Sequence, residues 1–378
     1  MKKIREKSAL MPELVTDILL RLPVSSLLRF RCLSRPVCSE IDSEKFVKNH
    51  LNSSIKRRTR LKLIFFDSVL KGPSDLYYAE FDDDLVYAFV LNKPLISPHQ
   101  ASFVYGSCNG LILLGWDLAV WNPFTMRYKK LPLCPVQTLP GYKGFMCCGF
   151  GYDSAHDDYM IVLISEVHDS DRVFYQVWIF GLKSDFWRRS RDLKDDVNTQ
   201  VGHFANGALY WACKRKNKCV GFDLAKEVFF DIPLLSDCGP ASIFWDSLVV
   251  FGGNVYCATL HDGNVEYYLL VSEDKGGDVV EVSWRKEFTM ENVKTIMDDV
   301  FPPWPLAHSK DRNSILLGEV GGVFWHNLEN GTKQRVNIAG QPEVRGFRYN
   351  VCWESLVSVG KDSAFDRAAE GVRIDDLE

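Results

Sequence analysis

Three short stretches hold the residue types from which catalytic sites are built. His156-Asp157-Asp158 sets an imidazole beside two carboxylates, the raw material of acid–base work. Gly106-Ser107-Cys108-Asn109-Gly110 puts a hydroxyl and a thiol between glycines, like a nucleophile loop, and Gly149-Phe150-Gly151 starts like a dinucleotide-binding turn. Each is incomplete. The first reads more simply as a polar hairpin turn. In the second, Asn109-Gly110 is a two-residue turn between strands and Cys108 a half-buried thiol. The third lacks its last glycine and the helix that must follow, so it reads as a strand-edge bend. The 8 histidines are dispersed, with no His-x-His or His-Glu-x-x-His, so a metal site would have to be assembled from distant positions. The Asp-box of sialidases, Ser-x-Asp-x-Gly-x-Thr-Trp, is missing. We therefore expect no catalytic residue, no metal and no cofactor.

The elements that must carry these residues fall into two unlike parts. Of 378 residues 46% are apolar, enough for a sizeable core, and a formal charge of -4 provides no basic field for nucleic acid or an anionic membrane. No run approaches the roughly 18 apolar residues of a membrane-spanning helix. The basic start (Lys2, Lys3, Arg5, Lys7) resembles the head of a secretory signal, but Glu13 and Asp17 interrupt the apolar stretch and Pro12 and Pro23 bracket it. The 11 cysteines are odd in number and without Cys-x-x-Cys pairs, the usage of a reducing compartment. The expected location is cytoplasmic and/or nuclear, and the glycosylation patterns at Asn52 and Asn330 are read as chance.

The first part is helical. Leu14, Val15, Ile18, Leu19 and Leu22 line one face of a helix punctuated by Pro12 and Pro23. At about three turns it is too short to stand alone in water and must pack on something. A second helix is predicted to start near Ser25 or Ser26, either of which could cap it, with Leu27, Leu28, Phe30 and Leu33 as its apolar set. A third segment opens at Pro36, carries Val37, Ile41, Phe46, Val47 and Leu51, and is broken around Asp42 and Ser43. IKRRTRLK, residues 55 to 62, then reads as a solvated basic linker, with a nuclear-import patch as the sharper alternative.

The second part is β-rich. Runs such as LKLIFF, LILLGW, YMIVLI, YQVWIF and ALYWAC alternate with turn residues. An asparagine- or glycine-led strand (NGLILL, NGALYW, GNVYCATL) recurs ahead of a strand, a polar turn and an aromatic or proline-ended strand. Between Asn122, Leu182, Leu224, Ser272 and Leu328 the steps average about fifty residues, near the roughly 40–50 of a four-stranded propeller blade. With 76–90 as an earlier copy, about six units result; a β-sandwich is the alternative architecture, though nothing in it would require so long a recurrent period. Trp121, Trp187, Trp211, Trp284 and Trp325 recur at equivalent places, which argues for packing between units. The acidic cluster Asp82-Asp83-Asp84 and the final RIDDLE tail read as solvated.

Residues 10–51, LMPELVTDILLRLPVSSLLRFRCLSRPVCSEIDSEKFVKNHL, resemble an F-box, a small helical module that docks on the Skp-type adaptor of cullin-based ubiquitin ligases. The body resembles the F-box-associated, kelch-like domain common in plants, through GSCNGLILL, VWNPFTMRYKKLP, GFGYDSAHDDYMIV, GLKSDFWRR and FDLAKEVFFDIP in that order. It departs from the pattern at Met11-Pro12, where the F-box usually opens Leu-Pro, at Cys38, where a tryptophan is frequent, and at Met160, where lysine is typical. By position the resemblance puts adaptor contact on Met11, Pro12, Leu14, Ile18, Leu19, Leu22, Pro23 and Leu27, a helix-in-groove interface. The expected organisation is multidomain: a basic tail (1–9), an all-α F-box (10–52), the basic linker (53–62), an all-β, propeller-like kelch-type domain of about six blades (63–360) and a polar tail (361–378).

The resemblance implies a non-catalytic substrate receptor of a ubiquitin ligase. It would bind the Skp-type adaptor, and through it a cullin, by the helices and an unidentified target protein by the propeller, with neither nucleic acid nor membrane as partner. The contrasting expectation is a stand-alone propeller enzyme or glycan-binding module with an incidental helical leader.

Overall fold

The computed structural model describes residues 12–67, 76–80, 86–91, 103–115, 118–169, 172–194, 197, 201–213, 218–233, 243–261, 263–274, 280–291, 303–319, 322–340 and 347–360. The basic tail, Met11, the Asp82–Asp84 cluster and the polar tail with RIDDLE lie outside them.

Four helices come first: α1 (Pro12–Leu19), α2 (Val24–Phe30), α3 (Arg35–Ile41) and α4 (Glu44–Arg57). Ser34 and Ser43 cap α3 and α4, accepting from Val37 N at 3.4 Å and Phe46 N at 3.1 Å, and Pro36 sits in the first turn of α3. The break expected around Asp42 and Ser43 is there. The linker is not: α4 runs on through Ile55, Lys56 and Arg57, and only three residues separate it from the first strand. Basic residues in a last helical turn suit the negative end of the helix dipole, so charge that reads as a solvated linker instead finishes α4.

The strands are β1 (Leu61–Asp67), β2 (Leu76–Glu80), β3 (Val86–Leu91), β4 (Val104–Cys108), β5 (Leu111–Leu114), β6 (Ala119–Asn122), β7 (Arg127–Lys130), β8 (Tyr142–Asp153), β9 (Asp158–Asp169), β10 (Arg172–Gly181), β11 (Trp187–Arg189), β12 (Val201–Ala205), β13 (Ala208–Ala212), β14 (Lys218–Asp223), β15 (Val228–Pro233), β16 (Ile243–Phe251), β17 (Asn254–His261), β18 (Asn264–Asp274), β19 (Val280–Met290), β20 (Trp304–His308), β21 (Ser314–Glu319), β22 (Gly322–Asn327), β23 (Lys333–Val336), β24 (Ile338–Ala339) and β25 (Phe347–Trp353). Among the described residues they form five hydrogen-bonded sheets where about six units were expected. The difference is a two-residue parallel pairing, Val201 with Cys148 and Gly202 with Gly149, which joins β8–β11 to β12–β15 as one eight-stranded sheet.

The fold is propeller-like. Strands β25, β4, β8, β12, β16 and β20 lie side by side in that order, and β20 returns to β25. The ring closes where β1 pairs with β25, antiparallel from Leu61 opposite Trp353 to Asp67 opposite Phe347. Local chemistry sets the hairpins. Asn109-Gly110 (φ 53 and 86) and Asn206-Gly207 (φ 49 and 79) occupy the left-handed region at both turn positions, as two-residue hairpins require. Gly149 and Gly151 lie within β8, not at a strand edge. A Cβ on Gly149 would sit 2.8 Å from Leu209 and Trp211, and one on Gly151 2.4 Å from Phe204, so these glycines admit the side chains of β12 and β13 and the turn beside them. Two of the recurrent tryptophans do tie neighbouring units: Trp187 Nε1 donates to Pro132 O and Trp284 Nε1 to Pro233 O, both at 2.8 Å.

After β25 the chain runs without regular structure from Glu354 to Gly360 as a strap between helices and sheets. Asn122, fully buried at the end of β6, donates through Nδ2 to Ser355 O (3.0 Å) and Val357 O (2.8 Å), while its Oδ1 accepts from Phe124 N and Thr125 N. Ser355 Oγ donates to Asn109 O at 2.8 Å, and a Cβ on Gly110 would lie 2.1 Å from that hydroxyl. Val357 and Val359 share one apolar cluster with Leu51 of α4, Leu113 and Leu163. Replacing Asn122 by Ala leaves two buried strap carbonyls and two part-buried turn amides without that partner. The expected loss is about 2–4 kcal/mol of unfolding free energy. Denaturant unfolding of the variant with an unchanged midpoint would contradict this.

Candidate functional site

The eight residues expected at the adaptor face divide. Leu19 (3% exposed) and Leu27 (0%) point inward and form the core of the helical unit with Ile41 and Phe46, with Val15, Leu22, Val37 and the strap residue Leu356 packed around them. Leu14 (49%) and Ile18 (50%), four residues apart on the other side of α1, stay in solvent, and Pro23 is exposed as well. Leu22 is half-buried, Pro12 is the first residue of α1, and Met11 lies outside the described residues. The apolar stripe thus has an inner row that closes the unit's own core and an outer row that nothing in the described chain covers. Leu33, expected in the apolar set of the second helix, is 67% exposed, because α2 stops at Phe30 and Leu33 falls in the turn beyond it.

This face is held in place by contacts far apart in the sequence. Helix α2 starts at Val24, earlier than predicted, with Pro23 in the capping position and no side-chain cap of its own. Ser25 and Ser26 are inside the helix and cap nothing at its start. The free Val24 N–H donates to Glu354 Oε1 at 2.6 Å, across 330 residues of sequence. The other oxygen of Glu354 faces Lys62 at 3.7 Å, and Lys62 also pairs with Glu80 at 2.6 Å. A second bridge comes from Arg60, which donates to Leu20 O (3.2 Å) and Ser54 Oγ (2.6 Å). Of the basic stretch 55–62, then, Arg60 and Lys62 are engaged in the joint. The signal for Glu354 was absent locally: a carboxylate after a strand has no periodicity to mark it as another helix's cap.

On the far side of α4, Lys48 pairs with Asp157 at 2.8 Å, and Asp157 also takes Lys183 (3.0 Å) and the Tyr152 hydroxyl. Lys48, then Tyr152, hold the Asp157 carboxyl far below the usual carboxylate range, against its partial desolvation. His156-Asp157-Asp158 is the turn between β8 and β9, as expected, with Asp153 accepting from Ala155 N at 2.9 Å. The turn doubles as a contact for the helical unit. Between the two units lies a cleft of about 1240 Å³, walled by α4 residues such as Val47 and Leu51 and by Phe124, Met126 and Leu182 in turns of the β domain; its Lys129 is neutralised by Asp185 at 2.8 Å.

Neither of the other motifs is arranged for catalysis. Cys108 is buried, and burial pushes its thiol well up, the opposite of what activates a nucleophile. Among the described residues no three His, Cys, Asp or Glu side chains group so as to hold a metal ion, and no helix is long and apolar enough to cross a membrane.

A closed ring of sheets with a four-helix unit strapped to its rim defines a propeller-like protein whose helices present one apolar row to solvent. The chain belongs to the F-box-associated β-propeller family: the family described as F-box associated beta propeller domain matches residues 87–352. Its relatives in Arabidopsis thaliana include F-box protein CPR1, 28% identical with 87% of this chain and 84% of the relative covered. They also include F-box protein At4g22390, 26% identical over 91% and 89%, and the F-box/kelch-repeat protein At3g23880, 26% identical over 84% and 88%.

Two outcomes test this division of the stripe. Leu27→Ala should cost about 2–5 kcal/mol of stability, the price of a cavity in a small core, whereas Leu14→Asp and Ile18→Asp should each stay within about 0.5 kcal/mol of wild type, measured by chemical unfolding. The reverse order would mean that the outer row is the buried one. His50 supplies a pH test. It is fully buried, with Nε2 donating to Leu22 O at 2.9 Å; burial, and to a lesser degree Arg60, lower its pKa against the raising effect of that bond. Below about pH 6.5 the unfolded chain binds a proton that folded His50 resists, so stability is complete above that pH and declines as pH falls toward the folded value. His50→Gln should flatten that decline without abolishing it, since burial also lowers His308 and His326. An identical pH slope in the variant would contradict the placement of His50.

Proposed function

We propose that this chain is the substrate-recognition subunit of a Skp-cullin-F-box ubiquitin ligase. The helices α1–α4 act as the F-box, and the propeller, counted as six blades when the eight-stranded sheet is taken as two, holds a target protein. The observation that carries the reading is the outer row of α1. Leu14 and Ile18 are half exposed although the row beneath them is closed by Leu19, Leu27, Ile41 and Phe46. An unpartnered apolar row on a folded helix is what a helix-in-groove interface buries. Support comes also from the relatives, which are named as F-box proteins over nearly the whole of this chain's length. The adaptor would contact Leu14, Ile18 and Pro23, joined by Met11 and Pro12 as the F-box resemblance implies, while Leu19, Leu22 and Leu27 serve by holding the face in shape.

In this role the chain makes and breaks no bond. It raises the effective concentration of target lysines beside a charged conjugating enzyme, which calls for a bridge of fixed geometry and no catalytic side chain. Its place of action would be the cytoplasm, the nucleus or both.

The test is capture of a purified Skp-type adaptor by the full-length chain. Leu14→Asp with Ile18→Asp should abolish binding while the melting temperature stays at the wild-type value. Leu22→Asp is a poorer probe, since Leu22 packs on the unit's own core and its loss would unfold the surface along with the contact. Adaptor binding that survives the double substitution would overturn the reading.

A further inference from the structure

Residues 58–60 join α4 to β1, and the middle one, Thr59, is exposed and outside regular structure. Its flanks are strongly basic. Lys56, Arg57 and Arg58 precede it and Arg60 follows, and no other serine or threonine in the sequence comes after three consecutive basic residues. Lys56 and Arg57 are exposed in the last turn of α4, and Arg58 (φ 53) and Arg60 (φ 64) are both left-handed, so the chain has left the helix by Thr59. Two backbone bonds close this end, Arg58 N to Ile55 O at 3.1 Å and Thr59 N to Ser54 O at 3.0 Å. Bonds at a helix end are the first to open in a folded chain.

The residue after Thr59 belongs to the joint between the helices and the ring. Arg60 O accepts from Glu354 N at 3.0 Å, and the Arg60 guanidinium donates to Leu20 O at 3.2 Å and to Ser54 Oγ at 2.6 Å. Both acceptors of the guanidinium are neutral oxygens, weaker partners for a cation than an anionic oxygen would be. The exposed hydroxyl of Thr59 thus stands one residue from a cation on which the seating of α1 and α4 depends.

We propose that Thr59 is a phosphoacceptor for a basophilic serine/threonine protein kinase, and that phosphate there loosens the joint between the helical unit and the ring. The reaction is phosphoryl transfer from ATP. A bond forms between Thr59 Oγ1 and the γ-phosphorus, the bond from that phosphorus to the β–γ bridging oxygen breaks, ADP leaves, and the hydroxyl proton passes to the catalytic carboxylate of the kinase. Kinases of this class select Lys or Arg two and three positions before the acceptor, where Arg57 and Lys56 stand. The product brings a charge of about −1.5 to −2 to the C-terminal end of α4, where the helix dipole is already negative, and so opposes the last turn. It also offers Arg60 a charged acceptor in place of the carbonyl and hydroxyl it holds. Both effects draw Arg60 away from Leu20. The inference rests on the joint alone and is independent of whether the helices bind an adaptor.

The test treats the folded full-length chain with ATP and a purified serine/threonine kinase that selects basic residues at those two positions, and maps the phosphate by mass spectrometry. Thr59 should carry it. Thr59→Ala, which should melt with the wild type because the side chain is exposed, should abolish that incorporation, and Arg57→Gln should slow it roughly tenfold or more. Hydrogen exchange then compares the phosphorylated and unmodified chains: the amides of residues 20–24 and 54–60 should exchange roughly tenfold faster or more after modification, with the sheets unchanged. Absence of phosphate from Thr59, incorporation undiminished in Thr59→Ala, or full modification of Thr59 with exchange at those amides unchanged or slower overturns the proposal.

Discussion

The carboxylate of Glu354 at the start of α2 is the contact on which the arrangement of the molecule turns. Helix α2 follows Pro23, whose side chain has nothing to offer the free N–H groups of a first turn. Glu354 meets one of them from the far end of the chain, with its charge at the positive end of the α2 dipole and Lys62 close behind. Burying a carboxylate is costly unless it is hydrogen-bonded and paired, and here it is both. Because β25 pairs with β1 directly before Glu354, ring closure and the seating of the helices are one event in the same few residues. The last strand cannot close the ring without delivering the cap.

Around that contact the remaining features are ordered. The strap 354–360 is held on one side by Asn122 and Asn109 from the β4–β7 sheet and on the other by the core of the helical unit through Leu356. Helix α4 passes into β1 with three residues between them, and Lys48 on its outer side reaches Asp157. The helical unit is therefore fastened at several separated points, so its outer face has a fixed direction relative to the ring. In the proposed role of a receptor that holds a target at a set distance from a conjugating enzyme, such fastening would do the work that active-site geometry does in an enzyme.

Much of this was readable in the residues, and what was not has a common cause. The helix punctuation by Pro12, Pro23 and Ser43, the Asn-Gly hairpins and the recurrence of strand units are local signals, set by backbone conformations within a few positions. The recurrence of tryptophan signals packing between units, and Trp187 and Trp284 do join neighbouring sheets. Which apolar residues of α1 and α2 face inward could not be read from spacing, because the stripe is wide enough to serve two surfaces, and only the packed unit separates Leu19 and Leu27 from Leu14 and Ile18. The basic stretch 55–62 resembles a linker in charge density whether its residues end a helix, brace a carbonyl or float in water, and here they do the first two. Glu354, Asn122 and the Lys48–Asp157 pair act between residues more than a hundred positions apart, where no single sequence carries a pattern. The ring count differs for a similarly small reason, the two-residue pairing of β8 with β12.

Hydrogen exchange on the full-length chain, with and without a purified Skp-type adaptor, measures most directly whether the helices are preset by the strap and completed by another polypeptide. The Val24 amide and the strap 354–360 should already be protected in the free protein, and the adaptor should slow exchange in α1 and in residues 20–24 while leaving the sheets unchanged. Rapid exchange at Val24 in the free chain, or adaptor protection that falls on the sheets and spares α1, would contradict that arrangement.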